Sequence, residues 1–127
     1  MLKNLIEKLK KEDVDFKSID NDKEIIITFG IELSFSNIVC EFSYDKDEKV
    51  VRFYSELLEF NDDTFEDGLE LVNDINYNSM FVKAYLDDDN ILCAEYYISG
   101  IDELSNTLID DLLSDVANLE ELLEEYI

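Results

Sequence analysis

From Leu2 to Glu12, Leu2, Leu5, Ile6 and Leu9 recur at helical spacing with Lys3, Lys8, Lys10 and Lys11 on the other side, which predicts a first helix. From 24 to 60 the period changes. Short β-branched and aromatic runs at 24–29, 38–44 and 49–58 read as strands, and the polar cluster Asp45-Lys46-Asp47-Glu48 joins the last two as a hairpin. Between Gly30 and Asn37, Ile31, Leu33 and Phe35 alternate well enough to extend a strand in either direction. A second helix follows Asn61-Asp62-Asp63, with Asp63 as its cap, Phe65, Leu69 and Val72 as its buried stripe and an end near Asn76. Runs at 79–86 and 91–98 flank Asp87-Asp88-Asp89-Asn90 as a second hairpin. Beyond Gly100, Leu104, Leu108, Leu112, Val116, Leu119 and Leu123 mark a last helix of about 24 residues up to Tyr126, roughly 36 Å long.

The predicted order is α-β-β-β-α-β-β-α, an α+β fold whose antiparallel sheet packs one face on the helices. With no proline and no linker-like stretch, residues 1–127 are expected to form a single domain. Alternation also assigns the sheet faces. Lys83, Glu95 and Arg52 must meet water, which turns Val82, Ala84, Leu86, Leu92, Ala94, Tyr96, Ile98, Val51, Phe53 and Leu57 inward. Val50, Tyr54, Phe81, Tyr85, Cys93 and Tyr97 then fall on the opposite face, which is unusually aromatic for a solvated surface.

Composition removes several classes of function. The chain has 127 residues, 10 basic and 33 acidic side chains, no histidine and a formal charge of −23. Such a chain is repelled by nucleic acid and by anionic lipid, so direct binding to either is not expected. No stretch has the length and apolarity of a membrane span, and the N-terminus reads as an amphipathic helix rather than a signal, so a reducing, cytoplasmic setting is expected. Two cysteines, Cys40 and Cys93, are too few for a disulfide scaffold or a four-thiolate zinc site. Without histidine, a Ser, Thr or Cys nucleophile lacks its usual base. Three glycines leave no room for a phosphate-cradling loop, and the four consecutive polar residues at 87–90 suit a turn better than a calcium loop. No catalytic residue, cofactor or metal ligand is therefore assigned.

Charge position matters more than its total. Through Phe53 there are 9 basic and 12 acidic residues, net −3; from Tyr54 onward Lys83 alone stands against 21 acids, net −20. On the last helix Glu103, Asp110, Glu121, Glu124 and Glu125 project opposite the apolar stripe, while Asp111 and Asp115 sit four apart with like charge.

Glu48-Lys49-Val50-Val51-Arg52-Phe53-Tyr54-Ser55, Glu70-Leu71-Val72-Asn73-Asp74-Ile75-Asn76-Tyr77, Phe81-Val82-Lys83-Ala84-Tyr85-Leu86-Asp87-Asp88-Asp89 and Ala94-Glu95-Tyr96 together resemble the bacterial YbjN family. The segment from Leu71 to Tyr77 is the most individual. The resemblance implies a fold like that of the type III secretion chaperones, a homodimer, and a sensory or regulatory role without established catalytic residues.

The expected function is a non-enzymatic interaction module, chaperone-like or regulatory, that binds a protein or peptide partner, a basic one being among those its charge would attract. Its candidate contact residues are Tyr54, Phe81, Tyr85 and Tyr97 on the sheet, with Asp110, Glu121 and Glu124 on the last helix. The alternative is an acidic inhibitor or DNA mimic that blocks a nucleic-acid-binding protein such as a host defence nuclease, with the anionic helix as its active surface.

Overall fold

The computed structural model describes residues 1–126. The elements are α1 (Lys3–Lys11), β1 (Phe16–Asp20), β2 (Glu24–Glu32), β3 (Asn37–Asp45), β4 (Val50–Glu59), α2 (Phe65–Asn78), β5 (Lys83–Leu86), β6 (Ile91–Ser99), α3 (Asn106–Ala117) and α4 (Glu120–Glu124). The α+β class and both hairpins are as the alternation predicts. Two differences change the predicted order: a short strand, β1, precedes the others, and the last helix is two helices.

All strand pairs are antiparallel, in the order β1-β2-β3-β4-β6-β5. β1 to β4 form a meander. The chain then leaves through α2, lays β5 at the far edge, and returns as β6 between β5 and β4. The 30–37 segment resolves into the end of β2, a tight turn closed by Leu33 N–H on the Ser36 carbonyl at 2.9 Å, and the start of β3. In the hairpin turns Asp45 and Asp87 do the same job, each accepting two backbone N–H groups at 2.9 Å. Lys49 and Asn90 then take left-handed backbone, with φ of 57° and 61°. These acidic clusters are thus built into the turns, as turn chemistry requires.

The core lies between the inner sheet face and the helices. Phe42 sits at its centre, 4.8 Å from the Phe53 ring and 6.2 Å from Phe29, with Leu5, Leu71, Ile75, Ile109 and Leu112 from the helix layer in the same cluster. A register shift between Glu56 and Leu58 lets both Leu57 and Leu58 pack on this core.

In α2 the predicted stripe is rotated. Gly68, Leu71 and Ile75 are buried, whereas Phe65 and Leu69 are exposed. The cause is Gly68. A Cβ there would stand 3.1 Å from both Phe60 and Leu86, so the helix approaches the sheet on its glycine and turns the larger side chains outward. Asp63 is likewise not the cap. Asn61 instead accepts from the N–H groups of Asp63 and Thr64, and Thr64 precedes the first helical residue.

At the β5 edge Asn76 acts as a substitute strand residue. Its Oδ1 accepts from Ala84 N–H at 2.7 Å and its Nδ2 donates to the Ala84 carbonyl at 3.1 Å, satisfying both outward backbone groups.

Candidate interaction surface

The outer sheet face is covered by no element among the described residues: Ile19, Val39 and Tyr97 stand 55 to 58% exposed on it. Strand register sets its rows. Ile19, Ile26, Ser43, Arg52 and Tyr97 align across five strands; Lys17, Thr28, Glu41, Tyr54, Glu95 and Lys83 form the next row; Val39, Glu56, Cys93 and Tyr85 lie in a third.

Arg52 organises the middle of this face. Its guanidinium lies 4.4 Å from the Tyr54 ring centroid and 5.9 Å from that of Tyr97, and it donates two hydrogen bonds to Glu95 Oε2, at 2.7 and 3.0 Å. The planar fork suits both the carboxylate and the rings, a combination lysine would not supply. Burial works against the Arg52 charge, but the Glu95 carboxylate outweighs it and holds the guanidinium above its ordinary pKa. Tyr85 donates to the same Glu95 oxygen at 3.4 Å. Tyr54 donates to Glu56 at 3.0 Å and lies 3.3 Å from Cys93 Sγ. Burial raises the pKa of both tyrosines, and the carboxylates beside them add to it. The face therefore holds neutral phenols around one paired cation.

Cys93 is fully buried on this outer side, beneath Tyr54 and within 4 Å of Asp87. Burial raises its pKa, with Asp87 and Glu56 adding to the effect. Cys40, on the inner face, is pushed up to about 11 by burial. Neither thiol is disulfide-bonded. Both are expected to react slowly with an aromatic disulfide reagent at about pH 8 in the native protein, and promptly once it is denatured. Fast labelling of Cys93 in native protein would show that Tyr54 leaves it open.

The predicted contact residues do not form one site. Tyr54, Tyr85 and Tyr97 do lie together on the outer face. Phe81 does not: β5 begins only at Lys83, so strand alternation does not govern it, and its ring packs on the helix side, edge-on to Tyr96 at 6.0 Å. Asp110 is engaged by Lys8 at 2.8 Å, a contact that with Glu12 raises the Lys8 pKa and ties α1 to α3. Glu124 accepts from the Ser34 hydroxyl, and Glu120 from the Ser34 backbone, so these carboxylates anchor α4 to the β2–β3 turn. All three are exposed, and Glu121 alone makes no bond to another described residue.

Asp115 has a role that sequence reasoning missed, seeing in it only one half of a like-charged pair with Asp111. It turns toward the segment after α2, where Oδ2 accepts from the Ser79 hydroxyl (2.6 Å), Phe81 N–H (3.1 Å) and Val82 N–H (3.0 Å), and Oδ1 accepts from Met80 N–H (3.3 Å). Its partners lie 33 to 36 residues away, so no local pattern signals the role.

Among the described residues, no group of three His, Cys, Asp or Glu is placed to hold a metal ion, and no helix is long and apolar enough to cross a membrane. No curated protein matches the sequence. The family model of YbjN, described as "Putative bacterial sensory transduction regulator", matches residues 58–119, just under half of the chain. The matched stretch runs from the end of β4 to just past α3 and includes Asn76, Tyr85, Tyr97 and Asp115. By that match residues 58–119 of the chain are similar to the YbjN family.

Proposed function

We propose that this chain is a non-enzymatic regulatory module that binds a basic protein or peptide through its outer sheet face. The carrying observation is the uncovered cluster of Arg52, Tyr54, Tyr85 and Tyr97. Tyrosine and arginine are the residue types that dominate binding energy at interfaces, and here paired side chains hold them in fixed positions before a partner arrives. The overall charge of −23 favours a basic partner and speeds its encounter. The mimicry alternative has less to stand on, because its straight anionic helix is interrupted between α3 and α4 and two of its carboxylates are used internally.

The test uses positions whose exposure makes a folding defect unnecessary. Captured partners from a bacterial lysate should be lost from a Val39→Ser, Tyr97→Ser double variant and kept by Glu121→Lys. Retention by the double variant together with loss from Glu121→Lys would move the function to the acidic helix. The homodimer that the chaperone resemblance implies is a competing occupant of the same face. Light scattering at micromolar concentration reads it directly, and a dimer dissociated by the double variant would replace the partner in this proposal.

A further inference from the structure

On the helix side of the molecule, a concavity of about 330 Å³ opens between the segment after α2 and the break separating α3 from α4. Phe81, Leu119 and Leu122 supply its apolar wall, and Asp111 and Asp115 its charge. Beside it Tyr77 and Met80 are 88 and 85% exposed, the two most exposed large apolar side chains of the described residues. Met80 is not on a loose loop. Asp115 binds the backbone N–H groups of residues 80, 81 and 82, so the methionine is held outward on a backbone fixed by a carboxylate.

No basic side chain lines the concavity, and every charged side chain of α2 and α4 is acidic. From Tyr54 onward Lys83 is the single basic side chain, and it lies on the outer sheet face. Burial and then the charges of Glu70, Asp74, Glu125 and Asp67 raise the pKa of Tyr126. Apolar wall, exposed thioether and unrelieved negative charge together define what fits.

We propose that this concavity docks a lysine- or arginine-rich segment of a partner protein, with one large apolar side chain seated against Phe81, Met80 and Leu122 and the flanking cations facing Asp111 and the α2–α4 carboxylates. Methionine suits such a contact because its flexible, polarisable side chain adapts to the shape of the entering group. A second copy of this chain, itself at −23, brings the wrong charge. The site lies on the opposite layer from the tyrosine–arginine face and stands independently of it.

Two fluorescent peptides test the proposal: four lysines flanking Leu-Phe, and the same four flanking Ser-Ser. In about 150 mM salt, where long-range attraction is largely screened, the apolar peptide should bind about tenfold more tightly. Met80→Ser should remove that preference, Tyr97→Ser should leave it, and amide shifts on titration should centre on Met80, Asn118 and Leu122. Equal affinity for the two peptides overturns the proposal. So does a preference that survives Met80→Ser or is lost in Tyr97→Ser, which would assign the apolar contact to the outer face. A dimer of the free chain that Met80→Ser dissociates would make a second copy the occupant, and equally overturns it.

Discussion

Phe42→Ala is expected to lower the free energy of unfolding by about 3–5 kcal/mol, the range for truncating a buried phenylalanine. Phe42 is fully buried, on a central strand, with an aromatic neighbour on each adjacent strand. Removing its ring takes away apolar burial and both aromatic contacts together. Little can move in to fill the space, because Phe29 and Phe53 are held by the strand ladders. A loss of that size is a large share of the roughly 5–15 kcal/mol that holds a typical domain folded. Urea denaturation should show a lower midpoint with an unchanged slope. A loss below about 1 kcal/mol would mean that the three rings are not packed as described.

Asp115→Ala is expected to cost about 2–3 kcal/mol although Asp115 is a charged helix residue on a strongly anionic chain. By net charge alone, removing an acid here should stabilise, since it also relieves the like-charged pair with Asp111 four residues earlier, worth about 0.2–0.5 kcal/mol. Hydrogen bonding decides the sign. Alanine leaves the part-buried N–H groups of Phe81 and Val82 and the Ser79 hydroxyl without their acceptor, and each was bonded to an ionised oxygen. Asp111→Ala, on the same helix and exposed, is the control and should be neutral or slightly stabilising. Asp115→Asn should fall between, because one carbonyl oxygen can keep the Oδ2 contacts while the amide opposes the Met80 N–H. Urea midpoints for the three variants test the order, and hydrogen exchange at residues 80–82 should speed up most in Asp115→Ala. If Asp115→Ala and Asp111→Ala behave alike, the carboxylate does not hold this segment.

These two residues also mark how far the sequence could be read. Phe42 falls in a run whose period of two places it beside other inward residues, so its burial follows from local pattern. The hairpins and sheet faces were legible for the same reason. β1 was not, because Ser18 and Asp20 occupy inward positions at an edge the helices do not cover, so the strand lacks the apolar alternation that would announce it. The break in the last helix is hidden because Val116 before it, Leu119 within it and Leu123 beyond it all stay buried, and their spacing runs on as though the helix were continuous. In α2 a single glycine rotated the buried face. Of the candidate site, the tyrosine group emerged from alternation, while the place of Phe81 and the role of Asp115 depend on a segment that is not a strand at all.

Asn76 has a consequence for how copies of this protein could join. Its side chain occupies the outward backbone groups of Ala84 at one edge of the sheet, whereas β1 at the other edge has no such guard among the described residues. A sheet with two open edges can add strands without limit and grow into fibres. One with a closed edge can be joined only from β1, so two molecules meeting there would complete each other and leave nowhere for a third to attach.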